Sequence, residues 1–491
     1  YSFGNRISVV TSPLTYQNVD HALIDALPEL LVAYTRCVEP EEEEHPGQYI
    51  VFEDMFAAFI EVLLALSTSP IRDELLRRAF AFVELMQQSD DRNVRDDIAH
   101  EFQVEFFLPW SEHLFFFAEL KTFYEAEFYR SDGRERSRGG ALARGQAWVY
   151  VDGFAQNRLG FQIGRQNLRE VREWWWDDDL DAVRAVWDDG RLHAEAGFGR
   201  ELARETWRDA GIDPRQKGVD RYFAHVSWLW APRQTLDAFL LHHDDRSSAP
   251  GVGSLIAPND QDASDARLTW VGLRAMGQQS LEGNGNLRYW ADTAWVFGHD
   301  RLSDFDDDIV QGHRRNDVSG FGVDAGVSWQ SALPGTPAFT LGYAYGSGDG
   351  DTGDGSDRNF RQTGLHDNKW RFFGVNRFHT LGEVLRPELS NLHVFTVAVG
   401  LPLRENSSVE LVYHRYAQAR AAATLRDVRI GADLDGRHTQ VGDELDLVVG
   451  VREGRHVDLA FTAGVFRAGS AYGDLKGKTA ALLLAEFIYF F

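Results

Sequence analysis

The sequence predicts an all-β fold, a transmembrane antiparallel β-barrel of about 18 strands with a small all-α domain inserted in its first hairpin. Three observations lead to this prediction. The last predicted strand is aromatic, strand-length runs of alternating character fill most of the chain, and no segment offers the roughly 18 uncharged apolar residues that a membrane-spanning helix requires.

The final strand is predicted from residue 480 onward. It carries Phe487, Tyr489 and Phe491 at alternate positions, and the sequence stops on that last aromatic residue. Such a strand is typical of outer-membrane barrels, in which alternate residues face lipid and lumen. Functional groups are therefore expected inside the barrel.

Composition agrees with a barrel and disfavours other classes. The 491 residues carry a formal net charge of -25, and the longest apolar segment, Met55 to Leu66, contains Glu61. Such a chain is too polar for helices that cross a bilayer, whereas a barrel strand needs apolar residues only at every second position. The acidic balance also argues against nucleic acid as a partner, because phosphate binding needs clustered Lys and Arg.

Residues 103–491 are predicted to form a meander of hairpins. In one run, Ala224, Val226, Trp228 and Trp230 share one parity, as expected for the face of a strand. Short turns are predicted at 231–233, 283–286, 334–335 and 404–406, and long polar connections at 304–317 and 346–359. The alternative, a soluble β-sandwich or propeller, is disfavoured because soluble sheets seldom place Trp, Phe and Leu on the outward face.

A separate helical domain is predicted at residues 11–102, between a first barrel strand at 1–10 and the remaining barrel at 103–491. Apolar residues recur here at spacings of three and four, for example Leu23, Leu27, Leu30 and Leu31. The segment is acidic and contains Cys37, the only cysteine, so no intramolecular disulfide is expected.

Several motifs of the barrel portion resemble the alginate export porin family of Gram-negative bacteria, and they occur in the same order. They are Ile163 to Glu170, Arg361 to Leu365, Gly382 with Glu383, Glu388 to Leu392, Leu411 to His414, Asp443 to Val449, and Phe466 with Gly469, Ala471, Tyr472 and Gly473. The resemblance covers the chain except residues 11–102. It implies a monomeric 18-stranded outer-membrane barrel that is not an enzyme and through which an anionic polysaccharide, alginate, diffuses passively.

The resemblance also implies a narrow region lined by arginines, with acidic residues nearby. The positions carried over, or placed in the lumen by strand alternation, are Arg144, Arg165, Arg169, Glu205, Asp209, Lys369, Arg371 and Arg377. For Arg165 the alternative stays open, because strict alternation groups it with Phe161 and Ile163 unless a bulge intervenes. A strand is expected after Asn368, with Trp370, Phe372 and Phe378 facing lipid. Fixed guanidinium groups would lower the barrier for a polymer that carries one carboxylate per sugar.

Four positions depart from the family pattern. Leu108, Asn167 and Ala460 stand where the family has pore arginines, and Ser8 replaces a lysine. A lumen with fewer cationic groups is expected to favour polyanions less.

Two other motifs have competing interpretations. Residues 346–357 are rich in Gly and Asp, but the twelfth position from Asp349 is Phe360 and not a bidentate Glu, so a solvated external loop is favoured over a calcium site. His242 to Asp245 follow a predicted strand, which favours charged rim residues over a transition-metal site. We therefore expect no cofactor, with calcium in the external loop as the alternative.

The sequence thus predicts an outer-membrane conduit for an anionic polysaccharide, in contact with lipid and with periplasmic secretion machinery. A general or anion-selective porin for small solutes is the nearest alternative. A third alternative is a barrel that displays the helical domain as a protein-binding module.

Overall fold

The structure is a computed structural model that describes residues 27, 102–126, 138–207, 209, 211–247, 249–351, 353–452 and 457–489. These ranges leave out the first strand expected at 1–10. They also leave out the helical domain expected at 11–102, except for Leu27 and Phe102. Both elements therefore stay predictions.

Twenty strands lie in the described part of the chain. They are β1 (Phe102–Ser111), β2 (Leu114–Ala126), β3 (Arg138–Phe154), β4 (Leu159–Arg169), β5 (Asp177–Asp188), β6 (Leu192–Arg200), β7 (Val219–Ala231), β8 (Gln234–Asp245), β9 (Ser264–Leu281), β10 (Gly285–Asp306), β11 (Ile309–Ser331), β12 (Ala338–Gly346), β13 (Ser356–Asp357), β14 (Lys369–Trp370), β15 (Phe378–His379), β16 (Leu392–Arg404), β17 (Ser407–Gln418), β18 (Gln440–Val451), β19 (Val457–Ala468) and β20 (Thr479–Tyr489). Two short 3-10 turns, Pro258–Asp260 and Ser470–Leu475, complete the regular structure of these residues.

One sheet contains eighteen of these strands, and β14 pairs with β15 in a separate two-stranded sheet. From β1 to β12 each strand pairs antiparallel with its successor, β12 pairs with β16, and the order continues to β20. The two-residue β13 is the exception, since it lies parallel to β11. The predicted meander of hairpins is confirmed.

The connections differ in length at the two ends of the sheet. At one end lie short turns, such as Pro232 and Arg233 between β7 and β8, and all four predicted short turns fall here. At the other end lie long loops, of which residues 347–391 form the longest. The connection expected at 304–317 is wrong in detail, because β10 and β11 extend through it and turn at Asp307 and Asp308.

Side chains alternate between an apolar outer face and a polar inner face. Trp228 and Trp230 on β7 are 51% and 47% exposed, as lipid-facing residues must be in the absence of lipid. On the opposite face, Asp237, Arg274 and Asp292 are nearly fully buried within the protein. The predicted β-barrel with its polar interior is confirmed, and the soluble alternative is excluded by the outward apolar face.

Loops from the long-loop end fill much of the interior. Trp175 is fully buried in a core cluster that also includes Leu180, Phe239, Val394 and Tyr416, which belong to strands spread around the wall. Because strands from around the sheet contribute to one cluster, the sheet encloses the loop residues that pack against it. No helix in the described ranges is both long and apolar enough to cross a membrane.

Candidate pore site

A cavity of about 980 Å³ occupies the interior between the short-turn end and the loop that joins β4 to β5. Its lining is strongly basic. The arginines are Arg169, Arg184, Arg233, Arg274, Arg288, Arg371, Arg377 and Arg452, and the acidic and histidine residues are Glu170, Glu195, Asp237, His193 and His225. Of the residues predicted from the sequence, Arg169, Arg371 and Arg377 line this cavity and the others do not.

Most of the lining arginines are neutralised by a carboxylate. Arg184 donates to Glu195 at 3.1 Å, and Arg452 lies 3.0 Å from Asp458. Such pairs place equal and opposite charge on the wall, so they contribute little net field to the cavity.

Three lining arginines make no ion pair among the described residues. The Arg288 guanidinium donates to the Phe372 carbonyl at 3.0 Å and lies 5.9 Å from the Trp370 ring. Neither Arg371, which is exposed to the cavity, nor Arg233, at the β7–β8 turn, has a carboxylate within salt-bridge distance in the described part of the chain. These three side chains make no direct ion pair, although the buried Glu410 carboxylate acts electrostatically on Arg288 and Arg371.

The roof of the cavity is the β4–β5 loop, residues 170–176, which a buried charge network holds inside the barrel. Arg172 forms ion pairs with Asp292 on β10 and with Asp324 on β11, the latter at 2.7 Å. Arg274 on β9 joins Asp292 at 2.5 Å and also pairs with Glu170. The loop is therefore tied across the lumen to three strands of the wall.

Backbone and aromatic contacts fix the same loop. The Glu170 carboxylate accepts hydrogen bonds from the amides of Trp174 at 2.6 Å and of Trp175 at 3.0 Å. Trp175 stacks on Phe239 with ring centroids 4.7 Å apart, and Trp174 stacks on Phe360 from the long loop. These bulky side chains pack together inside the barrel, next to the loop residues Glu170 and Val171 that line the cavity.

The long loop 347–391 is anchored by side chains of the wall. The Glu444 carboxylate accepts hydrogen bonds from the amides of Val384 at 2.7 Å and of Leu385 at 3.0 Å. The Tyr416 hydroxyl donates to the Leu381 carbonyl at 3.0 Å. A buried carboxylate that receives two backbone donors holds this part of the loop in one position.

The segment after Asn368 is not a lipid-facing strand, and this prediction is wrong. Trp370, Phe372 and Phe378 are at most 5% exposed and lie inside the barrel. They pack with Trp290 of β10, which stacks on Phe372 with centroids 5.6 Å apart. Alternation of aromatic residues does not distinguish a lipid-facing strand from a loop whose aromatic side chains fill the lumen.

Glu173 joins two of the predicted arginines at the edge of the roof. It forms ion pairs with Arg169 and, at 2.6 Å, with Arg377. Burial and the neighbouring Asp177 raise the pKa of Glu173 to about 7, although Arg377 and Arg169 oppose this shift. The charge balance at this edge of the cavity therefore depends on pH near neutrality.

Lys369 is directed away from the cavity lining. Its ammonium group lies 2.9 Å from the Asp367 carboxylate, which also pairs with Arg386. Burial opposes ionisation of Asp367, but hydrogen bonds from His379 and Lys369 hold its pKa well below the usual value. Lys369 is thus a neutralised partner within the long loop.

Arg144 and Arg165 lie on the outward-facing side of the wall. Arg165 is opposite Asp181 in register, and the preceding pair on that face is Ile163 and Val183, which are 57% and 49% exposed. Arg144 contacts Asp181 at 2.7 Å, while both arginines pair with Glu201. Two guanidinium groups and two carboxylates leave no net charge here.

Glu205 and Asp209 belong to the β6–β7 loop beside this cluster. The Glu205 carbonyl accepts a hydrogen bond from the Arg144 amide at 2.8 Å, and its side chain is exposed. The Asp209 carboxylate caps the Thr206 amide at 2.7 Å. The structure thus joins Glu205 to Arg144 but brings neither acidic residue to the cavity.

Sequence reasoning missed five lining arginines, among them Arg184, Arg274 and Arg288. A signal was present for Arg184, since it has the opposite parity to the outward-facing Val183 on the same strand. No comparable signal existed for Arg233, which reaches the cavity from a turn.

An apolar outer face, a polar lumen and a basic internal cavity define a channel protein of the outer-membrane β-barrel class. The chain belongs to the alginate export family, whose model matches residues 87–485. It is 31% identical over 383 residues to the alginate production protein AlgE of Pseudomonas aeruginosa, covering 74% of this chain and 77% of that protein. The AlgE protein of Azotobacter vinelandii is 26% identical over 340 residues, covering 67% of this chain and 68% of the relative. The resemblance and the outer-membrane location predicted from the sequence are confirmed.

Solved structures with similar folds include the outer membrane protein OpdK of Pseudomonas aeruginosa, with a TM-score of 0.45 and 12% identity over 79% of this chain and 93% of that chain. A structure of OccD1 (OprD) has a TM-score of 0.42 and 10% identity over 80% of this chain and 91% of that chain.

Proposed function

We propose that this protein is a passive conduit for an anionic polyuronate of the alginate type, which enters at the short-turn end and leaves at the long-loop end. Membership of the alginate export family supports the substrate class. Conduction requires no catalytic group, since the polymer is driven by its concentration on the side where it is made.

The observation that carries the proposal is a set of three cavity arginines that no direct ion pair neutralises. Arg233, Arg288 and Arg371 share a volume of about 980 Å³ and make no ion pair among the described residues. Guanidinium groups bind carboxylates through two parallel hydrogen bonds, and several weak sites in series allow a polymer to pass where one tight site would trap it. We assign anion attraction to these three residues and not to Arg144 or Arg165, whose charge is already balanced.

The roof of the cavity sets a condition on passage. Trp174 and Trp175 are buried in the β4–β5 loop above the cavity, so a polymer advances only when this loop or the long loop shifts. In our proposal the described arrangement is the closed form of the conduit. The cavity is then the entry chamber that holds the first sugars.

Planar-bilayer recording tests the proposal. We expect anion-selective current that oligouronates block from the short-turn side, with block strengthening as the oligomer lengthens and reaches more arginines. Neutral oligosaccharides of the same lengths are the matched control and should block weakly. Cation selectivity together with no oligouronate block would refute the proposal.

The closed roof also favours a second candidate, an anion-selective porin for small solutes. In that case passage needs gaps no larger than a small anion, and the loops need not move. Small organic anions would then permeate. Block of the current by oligouronates would not strengthen as the oligomer lengthens. Permeability to long oligouronates, measured in proteoliposomes, would exclude this candidate.

A further inference from the structure

We propose that His193, Glu195 and His225 form a binding site for a divalent transition-metal ion, with Zn²⁺ as the best match, on the cavity wall at the short-turn end. The proposal concerns a ligand different from the transported solute and does not depend on which solute is carried. It rests on the geometry of three adjacent inward-facing side chains.

Strand register brings the three residues together. His193 and Glu195 are two residues apart on β6 and therefore face the same side, and Glu195 is directly opposite His225 on β7. One potential ligand atom from each residue lies within 4.8 Å of those of the other two. A tetrahedral Zn²⁺ with bonds of about 2.0–2.1 Å holds its ligand atoms roughly 3.4 Å apart, so modest side-chain rotations complete the site.

Each of these side chains already uses one polar atom elsewhere and keeps another for the centre. Glu195 Oε2 accepts a hydrogen bond from Arg184 at 3.1 Å, while Oε1 lies 3.6 Å from His225 Nδ1. The other nitrogen of His225, Nε2, lies 3.0 Å from an Asp237 oxygen. His193 Nδ1 lies 3.3 Å from Asp188, which leaves its Nε2 available.

This pattern of outer contacts is the one that zinc-binding histidines use. A carboxylate that accepts the second ring N–H fixes the tautomer and the orientation of the ligand, and Asp237 does this for His225. The His225 ring is further held by stacking on Phe239, with centroids 4.3 Å apart. Asp237 and Phe239 therefore hold the His225 ring in place before a metal ion binds.

The donor set selects the class of metal. Two imidazoles and one carboxylate suit Zn²⁺ and its neighbours in the first transition series, whereas Ca²⁺ and Mg²⁺ prefer oxygen ligands alone. Three protein ligands leave a fourth position open, and all three line the cavity. A bound ion would thus present one exchangeable position to the lumen, where water or a carboxylate can coordinate.

Metal binding to the full-length protein in detergent, with any affinity tag removed, tests the proposal. We expect titration with ZnCl₂ to give one site per chain, and Co²⁺ to give the intense visible absorption of a tetrahedral centre. His193→Ala should abolish the Co²⁺ spectrum, and Asp237→Asn should weaken Zn²⁺ binding by about 10–100-fold because it removes only the orienting contact.

His313→Ala is the matched control, since His313 lies on β11 and contacts Ser303 outside the cavity. It should bind Zn²⁺ as the unmodified protein does. The proposal is overturned if no single site is titrated, or if His193→Ala and His313→Ala bind equally. His193 is partly exposed, so its replacement is not expected to unfold the barrel. Comparing the gel mobility of heated and unheated samples checks that the variant is folded.

Discussion

At the scale of single residues, an arginine attracts an anionic solute only when no neighbouring carboxylate neutralises its charge. Arg274 and Arg371 line the same cavity, yet Arg274 is paired with Glu170 and Asp292 while Arg371 makes no ion pair in the described ranges. The number of arginines in a lumen is therefore a poor measure of its selectivity. We expect the ion pairing of these arginines to decide the selectivity.

Replacing Arg371 with glutamine is expected to lower anion selectivity. One unpaired charge acting on a carboxylate about 8 Å away contributes on the order of 1 kcal/mol after salt screening, or roughly fivefold in the ratio of anion to cation permeability. Reversal potentials measured in bilayers under a salt gradient give this ratio.

Arg144→Gln is the matched control for this prediction, because Arg144 is balanced by Asp181 and Glu201 on the outward side of the wall. Its permeability ratio should stay within error of the unmodified channel. Equal effects of the two substitutions would show that ion pairing does not determine selectivity here.

Glu173 is expected to make anion conductance depend on pH. Its pKa is raised to about 7 by burial and by Asp177, so acidification through neutrality adds a proton and releases Arg169 and Arg377 from their shared carboxylate. Anion current should rise as the pH falls from about 8 to about 6. Conductance recorded across this range measures the effect.

Glu173→Gln supplies the control, since it mimics the protonated form and should give the higher current at every pH. A pH dependence that persists in Glu173→Gln would assign the titration to another group. The same shift makes the stability of the fold depend on pH. Because the native pKa of Glu173 lies above the ordinary value of 4.5, its contribution to the free energy of unfolding is complete below pH 4.5 and is lost as the pH rises through 7.

At the scale of elements, alternation predicted the wall because lipid demands an apolar side chain at every second position. Trp228 and Trp230 obey this rule on β7. Trp174, Trp370 and Phe372 do not, because they belong to loops that fold into the lumen and pack against one another. Contacts between loops distant in the sequence leave no local periodicity, so the roof could not be predicted from the sequence.

The candidate site was only partly predictable for the same reason. Arg371 and Arg377 were placed in the lumen by a strand alternation that is wrong in structure, and they line the cavity because the long loop turns inward. Arg165 shows the opposite case, because its parity with Ile163 was visible in the sequence and agrees with its position on the outward side of the wall. Identifying Arg165 as a paired arginine required its partner Glu201, which meets it only in three dimensions.

The β4–β5 loop is expected to lose its position when Arg172 is replaced by alanine. This substitution leaves Asp292 and Asp324 with fewer partners in a buried environment, which costs about 3–5 kcal/mol. Because the same loop forms the roof, single-channel conductance should increase together with the loss of stability. Urea unfolding in detergent and bilayer recording provide the two measurements.

Arg288→Ala serves as the comparison, since Arg288 lines the same cavity but makes no ion pair in the described part of the chain and donates its hydrogen bond to the Phe372 carbonyl. Its loss should cost about 1 kcal/mol, the net contribution of an ordinary hydrogen bond, and should leave the roof closed. Unchanged stability of Arg172→Ala would mean that the charge network does not hold the loop.

At the scale of the whole molecule, the difference between the two ends of the sheet fixes its orientation. Outer-membrane barrels have short turns on the periplasmic side and long loops outside the cell. The strand β1 runs from Phe102 into the short turn at Glu112 and His113. The segment that precedes Phe102 is therefore joined to the barrel at the long-loop end, and the predicted helical domain is expected outside the cell.

Labelling of Cys37 tests this orientation, because it is the only cysteine and lies within the predicted domain. A polymeric maleimide too large to cross the outer membrane should label intact cells. The comparison protein carries Cys37→Ser together with Asn284→Cys in the short turn between β9 and β10, and should react only after the outer membrane is permeabilised. Labelling of the Asn284→Cys protein in intact cells would reverse the orientation, and with it the side from which the basic cavity receives its solute.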